Sequence, residues 1–225
     1  PIWGTEVDEG LRALWHRITS APDIGDTYAT DWSAQTVPDL VLSGQPCMDY
    51  SPLGSKTGEN GETGWMYVRQ ADVLMQLQPN AAILEMVSNA TNIHGGREVQ
   101  ALLSKLRPAY WCHTKVVSTG EYGDATNRKR LIIVCLHRRL GLEAEAYEFP
   151  KGSRTAPPAR CFADPDEKVP DKYWRTHEGL EYLPASIPAP GRLHKVAQRA
   201  PGAGHSSNPN AIYSWEGIFN CQTTH

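Results

Sequence analysis

The chain has 225 residues, 40% of them hydrophobic and 21% charged, which is enough to bury a core and hold one domain with a smaller appendage. A formal net charge of -3 excludes a global positive field for attracting nucleic acid, so any such partner must be met by local basic clusters. Three clusters are available: Arg128, Lys129 and Arg130; Arg138 and Arg139; and Arg192, Lys195 and Arg199. A solvated charged face is the plainer reading of each. Five cysteines, Cys47, Cys112, Cys135, Cys161 and Cys221, include no Cys-x-x-Cys spacing, so neither a zinc site nor a redox motif of that type is expected. No apolar run approaches the roughly 20 residues that span a bilayer, and the opening Pro-Ile-Trp-Gly lacks a basic-then-apolar signal. A soluble, intracellular protein without membrane or metal partners is expected.

In chain order, Leu11, Leu14, Trp15 and Ile18 recur at helical spacing behind an acidic first turn, which predicts an amphipathic helix over Asp8–Ile18. The apolar run Asp39–Ser43, bounded by Pro38 and Gly44, reads as a buried parallel strand, and a long Gly-rich loop follows to Gly64. A helix over Trp65–Leu77 and a second buried strand over Ala81–Val87 come next. Val99, Leu102, Leu103 and Leu106 give one face of a helix over Gly96–Leu106, and strands over Trp111–Ser118 and Arg130–Leu136 close the series. Such alternation predicts an α/β domain over residues 1–147, with a mostly parallel sheet and helices on both faces. Beyond 147, prolines cluster and apolar periodicity fades, so residues 148–225 form a second, loop-rich region. There, the aromatics of Asn208–Trp215 suit either a partner surface or the staple of a small subdomain.

Three segments carry chemistry. Gly44-Gln45-Pro46-Cys47-Met48-Asp49-Tyr50-Ser51 places a cysteine on a loop just after a strand, where a thiolate can reach a ligand, although a lone Cys is more often inert. Leu84-Glu85-Met86-Val87-Ser88-Asn89 ends an apolar strand with an acid that burial would keep protonated near neutrality; a capping or ion-paired Glu is the duller option. Ligands in open α/β sheets bind beyond the carboxyl ends of strands, so Cys47 and Glu85 are expected to face one cleft. In the third segment, Tyr122 to Arg130, a turn leads into Arg128 and Arg130, whose spacing in a strand would point both guanidinium groups to one face.

In this order and with these separations, the segments resemble the DNA cytosine-5 methyltransferase family. Its Pro-Cys loop is matched by Pro46-Cys47, its Glu-Asn-Val strand end by Glu85-Met86-Val87, and its Gln-x-Arg-x-Arg turn by Thr126-Asn127-Arg128-Lys129-Arg130. Two further segments fit: Thr5-Glu6-Val7-Asp8 looks like the acidic stretch that holds the cofactor ribose, and Gly25-Asp26-Thr27 like the one that meets its adenine. The likeness covers about residues 4–137, and the Pro-rich remainder falls where the family carries its target recognition region. Met86 stands in place of the family Asn, and Thr126 in place of its Gln. The absence of an initiator Met, of the family's Phe-x-Gly-x-Gly cofactor loop and of its closing segments leads us to expect an internal fragment.

The resemblance implies a Rossmann-like, S-adenosylmethionine-dependent methyltransferase fold acting on double-stranded DNA. It implies that Cys47 is the nucleophile, that Glu85 bonds the cytosine ring, and that Arg128 and Arg130 steady the base and the Cys47 loop. Glu6, Asp26 and Pro46 would contact cofactor, and Ser51 and Thr126 the substrate. Two other readings stay open: a cysteine hydrolase pairing Cys47 with His94 or His113, and a DNA-binding remnant without activity.

Overall fold

The computed structural model describes residues 1–45, 65–126, 128–152 and 161, together with the backbone of 180–182, 195–199 and 211–213. Helix α1 spans Glu9–Ile18, and Asp8 caps it by accepting from Leu11 N–H, the interaction that makes Asp a favoured residue before a helix. Strand β1, Leu40–Gly44, is followed by α2, Trp65–Leu77, then β2, Ala81–Val87, α3, Arg97–Leu106, β3, Tyr110–Ser118, and β4, Lys129–His137. A short helix α4, Leu142–Glu145, comes after β4. The expected helices and strands are all present, with ends shifted by at most one residue.

Two compact units make up the chain: Pro1–Lys115 with Leu131–Phe149, and Val116–Arg130 with Pro150–His225. In the first, the sheet order is β1-β2-β4-β3. β1 and β2 pair in parallel, with Leu42 beside Ile83 and Gly44 beside Glu85, and α2 lies between them in sequence as the crossover that parallel strands need. β4 runs the other way: its end meets the start of β2, where His137 N–H donates to Asn80 O at 2.9 Å. The sheet is therefore mixed. Residues 119–128 alone connect β3 to β4, too few for the crossover of a dozen or more residues that would make these two parallel.

Alternation along β2 sets the core. Ala82, Leu84 and Met86 are buried on one face, and with Leu131, Ile133 and Cys135 of β4 they pack against Tyr67, Ala71 and Leu74 of α2 and Val99, Leu102, Leu103 and Leu106 of α3. The helical residues recur at the three- and four-residue steps that make one stripe. Met86, where the family carries Asn, is thus a core residue with no exposure.

β1 departs from the expected buried strand. Leu40 is 48% and Leu42 70% exposed, because both side chains line open cavities beside the strand instead of packed neighbours. An apolar run marks a strand suited to burial, but whether it is covered depends on neighbours elsewhere in the chain.

Tyr110 pins β3 to the turn before β2: its buried hydroxyl donates to Pro79 O at 3.1 Å and lies 3.4 Å from Leu74 O. Burial pushes its phenol up to about 12 from 10.0. The folded chain therefore favours the protonated form; this contribution is complete below pH 10 and is lost as pH rises toward 12. The denaturant midpoint, followed across that interval, is expected to fall in the wild type, and Tyr110→Phe should flatten the fall while costing about 1–2 kcal/mol at neutral pH. An unchanged slope in the variant would assign the alkaline transition to another group.

In the second unit the described strands are β5, Leu180–Tyr182, β6, Lys195–Arg199, and β7, Ala211–Tyr213, an antiparallel sheet in the order β5-β6-β7. β6 carries an irregularity between Lys195 and Ala197. Among the described residues, no helix is long and apolar enough to cross a membrane.

Candidate functional site

The site is built where the parallel pair β1 and β2 ends. Gly44, the last residue of β1, lies beside Glu85 of β2, and a Cβ placed on Gly44 would sit 3.3 Å from Glu85 Oε2. The Glu85 carboxylate therefore rests close against the glycine, in space that a larger residue would contest. Glu85 is half-buried on the sheet face opposite the helix-covered core. Gln45 follows, its side-chain amide donating to Ser43 Oγ at 3.0 Å, and its carbonyl lies 3.3 Å from the Tyr67 hydroxyl of α2. Pro46, Cys47 and Ser51 lie outside the described residues, as does the Gly-rich stretch up to 64.

Alongside β1, from Val41 to its carboxyl end, opens a cavity of about 730 Å³, and Ser43, Gly44, Gln45, Glu6 and Asp26 all line it. Both acidic segments singled out in the sequence thus reach one cavity, which also contacts the glycine beneath Glu85. Glu6 Oε1 accepts from the backbone N–H of Val7 at 2.7 Å and of Asp8 at 2.9 Å. Asp26 Oδ1 accepts from Tyr28 N–H at 2.8 Å, and Thr27 and Thr5 share a hydroxyl hydrogen bond of 2.7 Å that ties the two segments together.

Asp23, which the sequence alone did not mark, holds this arrangement. A parallel bridge joins it to Gly4, its carboxylate accepts from Gly25 N–H at 2.9 Å and from Arg12 Nε at 2.5 Å. The Gly25 hydrogen bond, and after it the Arg12 guanidinium, hold its carboxyl below the usual range. Aromatic walls were equally unmarked. Trp3, Tyr28, Trp32 and Trp65 line the cavity, with Tyr28 and Trp65 ring centroids 4.9 Å apart. The Trp32 indole N–H donates to Thr27 O at 3.0 Å and the Tyr28 hydroxyl to Met66 O at 3.0 Å, so these rings are fixed in place. Gln70 of α2 also lines the cavity, with a buried amide nitrogen that has no partner among the described residues. Aromatics scattered between 3 and 65 show no shared periodicity, so their convergence had no local signal.

The basic turn belongs to the second unit. Thr119 Oγ1 donates to Thr126 O at 2.9 Å and lies 3.0 Å from the Thr126 hydroxyl. Arg128 N–H donates to Thr119 Oγ1 at 3.1 Å. β4 begins at Lys129, so the exposed Arg128 precedes the strand while the half-buried Arg130 lies within it; Arg130 Nη1 donates to Lys129 O at 2.8 Å. The two histidines of the hydrolase reading are placed in the first unit. His113 Nε2 bonds Ala144 O at 2.9 Å, and His94 Nδ1 lies 2.5 Å from Glu98 Oε1. Among the described residues, no group of three or more His, Cys, Asp or Glu could hold a metal ion.

A parallel strand pair with its crossover helix, set in a mixed sheet with a cavity alongside the pair, gives a Rossmann-like α/β fold. Two solved structures share the fold: a Spodoptera frugiperda DNMT2 variant, with TM-score 0.53 and 13% identity over 76% of this chain and 54% of that one, and the Entamoeba histolytica methyltransferase EhMeth, with TM-score 0.51 and 12% identity over 76% and 53%. The model of the C-5 cytosine-specific DNA methylase family matches residues 1–182, and the chain belongs to that family. Among curated relatives it is similar to the type II methyltransferase M.HpaII of Haemophilus parainfluenzae, 28% identical over 90% of this chain and 55% of that protein. It is also similar to M.NlaX of Neisseria lactamica, 30% identical over 68% of this chain and 50% of that protein. The chain spans about half the length of these relatives.

Proposed function

We propose that this chain forms the catalytic core of a DNA (cytosine-5) methyltransferase, in which Cys47 attacks a cytosine flipped out of the duplex. The observation that carries the reading is the placement of Glu85 against Gly44, a glycine that lies two residues before Pro46 in sequence and lines the cavity reached by Glu6 and Asp26. Carbon 5 of cytosine is a poor nucleophile. Addition of the Cys47 thiolate to carbon 6 makes carbon 5 carbanion-like. Glu85, protonated, bonds ring nitrogen 3 and the exocyclic amine, stabilising the charge that builds as the thiolate adds. After carbon 5 is alkylated and loses its proton, the thiolate leaves carbon 6. These ring atoms are stacked inside the duplex, so the base must first be extruded, at a cost of a few kcal/mol. By the resemblance, Arg128 and Arg130 would steady the base and the Cys47 loop, Ser51 and Thr126 would contact the substrate, and residues 148–225 would select the DNA site.

S-adenosylmethionine supplies the electrophilic methyl group when bound. The cavity suits it: aromatic walls and Asp26 for an adenine, Glu6 for a ribose diol, and the Gln70 amide, without a partner among the described residues, for a polar edge. The family resemblance adds Pro46 as a further cofactor contact. Asp26→Asn is expected to weaken S-adenosylmethionine binding about tenfold, read by calorimetry, because a charged acceptor on the cavity wall becomes neutral. Unchanged affinity would remove Asp26 from the cofactor site.

The deciding experiment presents duplex DNA containing 5-fluorocytosine together with S-adenosylmethionine to the longest polypeptide in which the chain is encoded. Fluorine cannot leave as a proton does, so a covalent complex mapped to Cys47 is expected. Salt-sensitive DNA binding without a complex would favour the remnant reading, and labelling of Cys47 by an acylating probe alone would favour a hydrolase.

A further inference from the structure

Outside the site just described, two cysteines stand face to face. Ala109 O accepts from Arg138 N–H at 2.8 Å at one end of the β3–β4 pair, and Arg128 O accepts from Thr119 N–H at 3.0 Å at the other. Both bonds imply one antiparallel register, in which each step forward on β3 is matched by one step back on β4. Three steps inward from Ala109 and three from Arg138 bring Cys112 opposite Cys135. Three steps from a hydrogen-bonded pair is a non-hydrogen-bonded pair, where opposed Cα atoms approach to about 4.5 Å. That falls within the span of about 4.4–6.8 Å that a disulfide bridges. Both side chains lie on the helix-covered face: Cys135 is in the core and Cys112 packs half-exposed against it.

We propose that Cys112 and Cys135 form a redox-active cross-strand thiol pair, a modification site at which small-molecule disulfides convert the chain to an intramolecular Cys112–Cys135 disulfide. The two thiols have different roles. A hydrogen bond from the Cys135 thiol to the Cys112 sulfur, and the nearby Arg107 and Arg138, draw Cys112 below its ordinary thiol value, whereas the same hydrogen bond and burial push Cys135 up. Cys112, the half-exposed thiol that an incoming disulfide can reach, is the attacking group, and the fully buried Cys135 the resolving one. The Cys112 thiolate attacks one sulfur of the oxidant disulfide, giving a mixed disulfide and releasing one thiolate. Cys135 then loses its proton and attacks Cys112 Sγ, closing the bridge and releasing the second thiolate. One oxidant disulfide is reduced to two thiols as two protein thiols become one disulfide. No group in this exchange belongs to the methyl-transfer machinery, so the pair stands or falls independently of that reading.

The test exposes the folded chain to glutathione disulfide, quenches with N-ethylmaleimide, and maps thiols and cross-links by peptide mass spectrometry. The expected product is a peptide pair joined through Cys112 and Cys135, with both residues losing alkylation together and regaining it after dithiothreitol. Cross-linking should be roughly tenfold faster in the folded chain than in urea, since the fold supplies the geometry. In Cys135→Ser, the mixed disulfide on Cys112 should persist instead of resolving. Two wild-type results would overturn the proposal without any variant: Cys112 and Cys135 both remaining alkylatable while exposed Cys161 is modified, or cross-linking no faster folded than unfolded.

Discussion

Replacing Cys47 with Ala is expected to abolish transfer of labelled methyl groups from S-adenosylmethionine to duplex DNA, lowering the rate by at least about a thousandfold. The reason is electronic: without thiolate addition at carbon 6, cytosine carbon 5 is too weak a nucleophile to take the methyl group. Binding of DNA should survive, because phosphate contacts do not involve the thiol. The pairing of lost transfer with retained binding is the discriminating result. A variant that still methylated carbon 5 would end the covalent reading, and one that lost DNA binding as well would point to a structural defect. Cys47 itself lies outside the described residues; its assignment rests on the Pro46-Cys47 resemblance and on the Glu85–Gly44 geometry two residues upstream.

The second large effect is expected at Glu85. Glu85→Gln keeps the size that fits against Gly44 but removes the transferable proton, so kcat should fall about a hundredfold with little change in KM for DNA. The fall should be reproduced in the rate of covalent trapping by 5-fluorocytosine DNA, because the acid assists thiolate addition and not only the later steps. A drop confined to KM would make Glu85 a binding group, and a rate within about threefold of wild type would leave it a strand-end residue with no part in the chemistry.

Much of the local structure was legible. The three- and four-residue recurrence in α2 and α3, and the apolar runs of β2 and β4, are properties of short windows, and each appeared within one residue of its expected bounds. The candidate residues were legible for a different reason: Glu6, Asp26 and Glu85 sit in motifs whose order along the chain is itself informative.

What the sequence by itself determined is therefore the inventory: which stretches are helix or strand, which residues carry reactive groups, and which family they resemble. Tertiary structure decided the rest. It left Leu40 and Leu42 exposed because they line open cavities, and it set β4 between β2 and β3. It recruited Asp23 as the clamp of the Gly25–Asp26 turn, gathered Trp3, Tyr28, Trp65 and Gln70 around one cavity, and set Cys112 against Cys135. The physical reason is common to these cases: strand order, register and cavity walls depend on contacts between residues far apart in sequence. No periodicity of a single segment encodes which distant segment will pair with it.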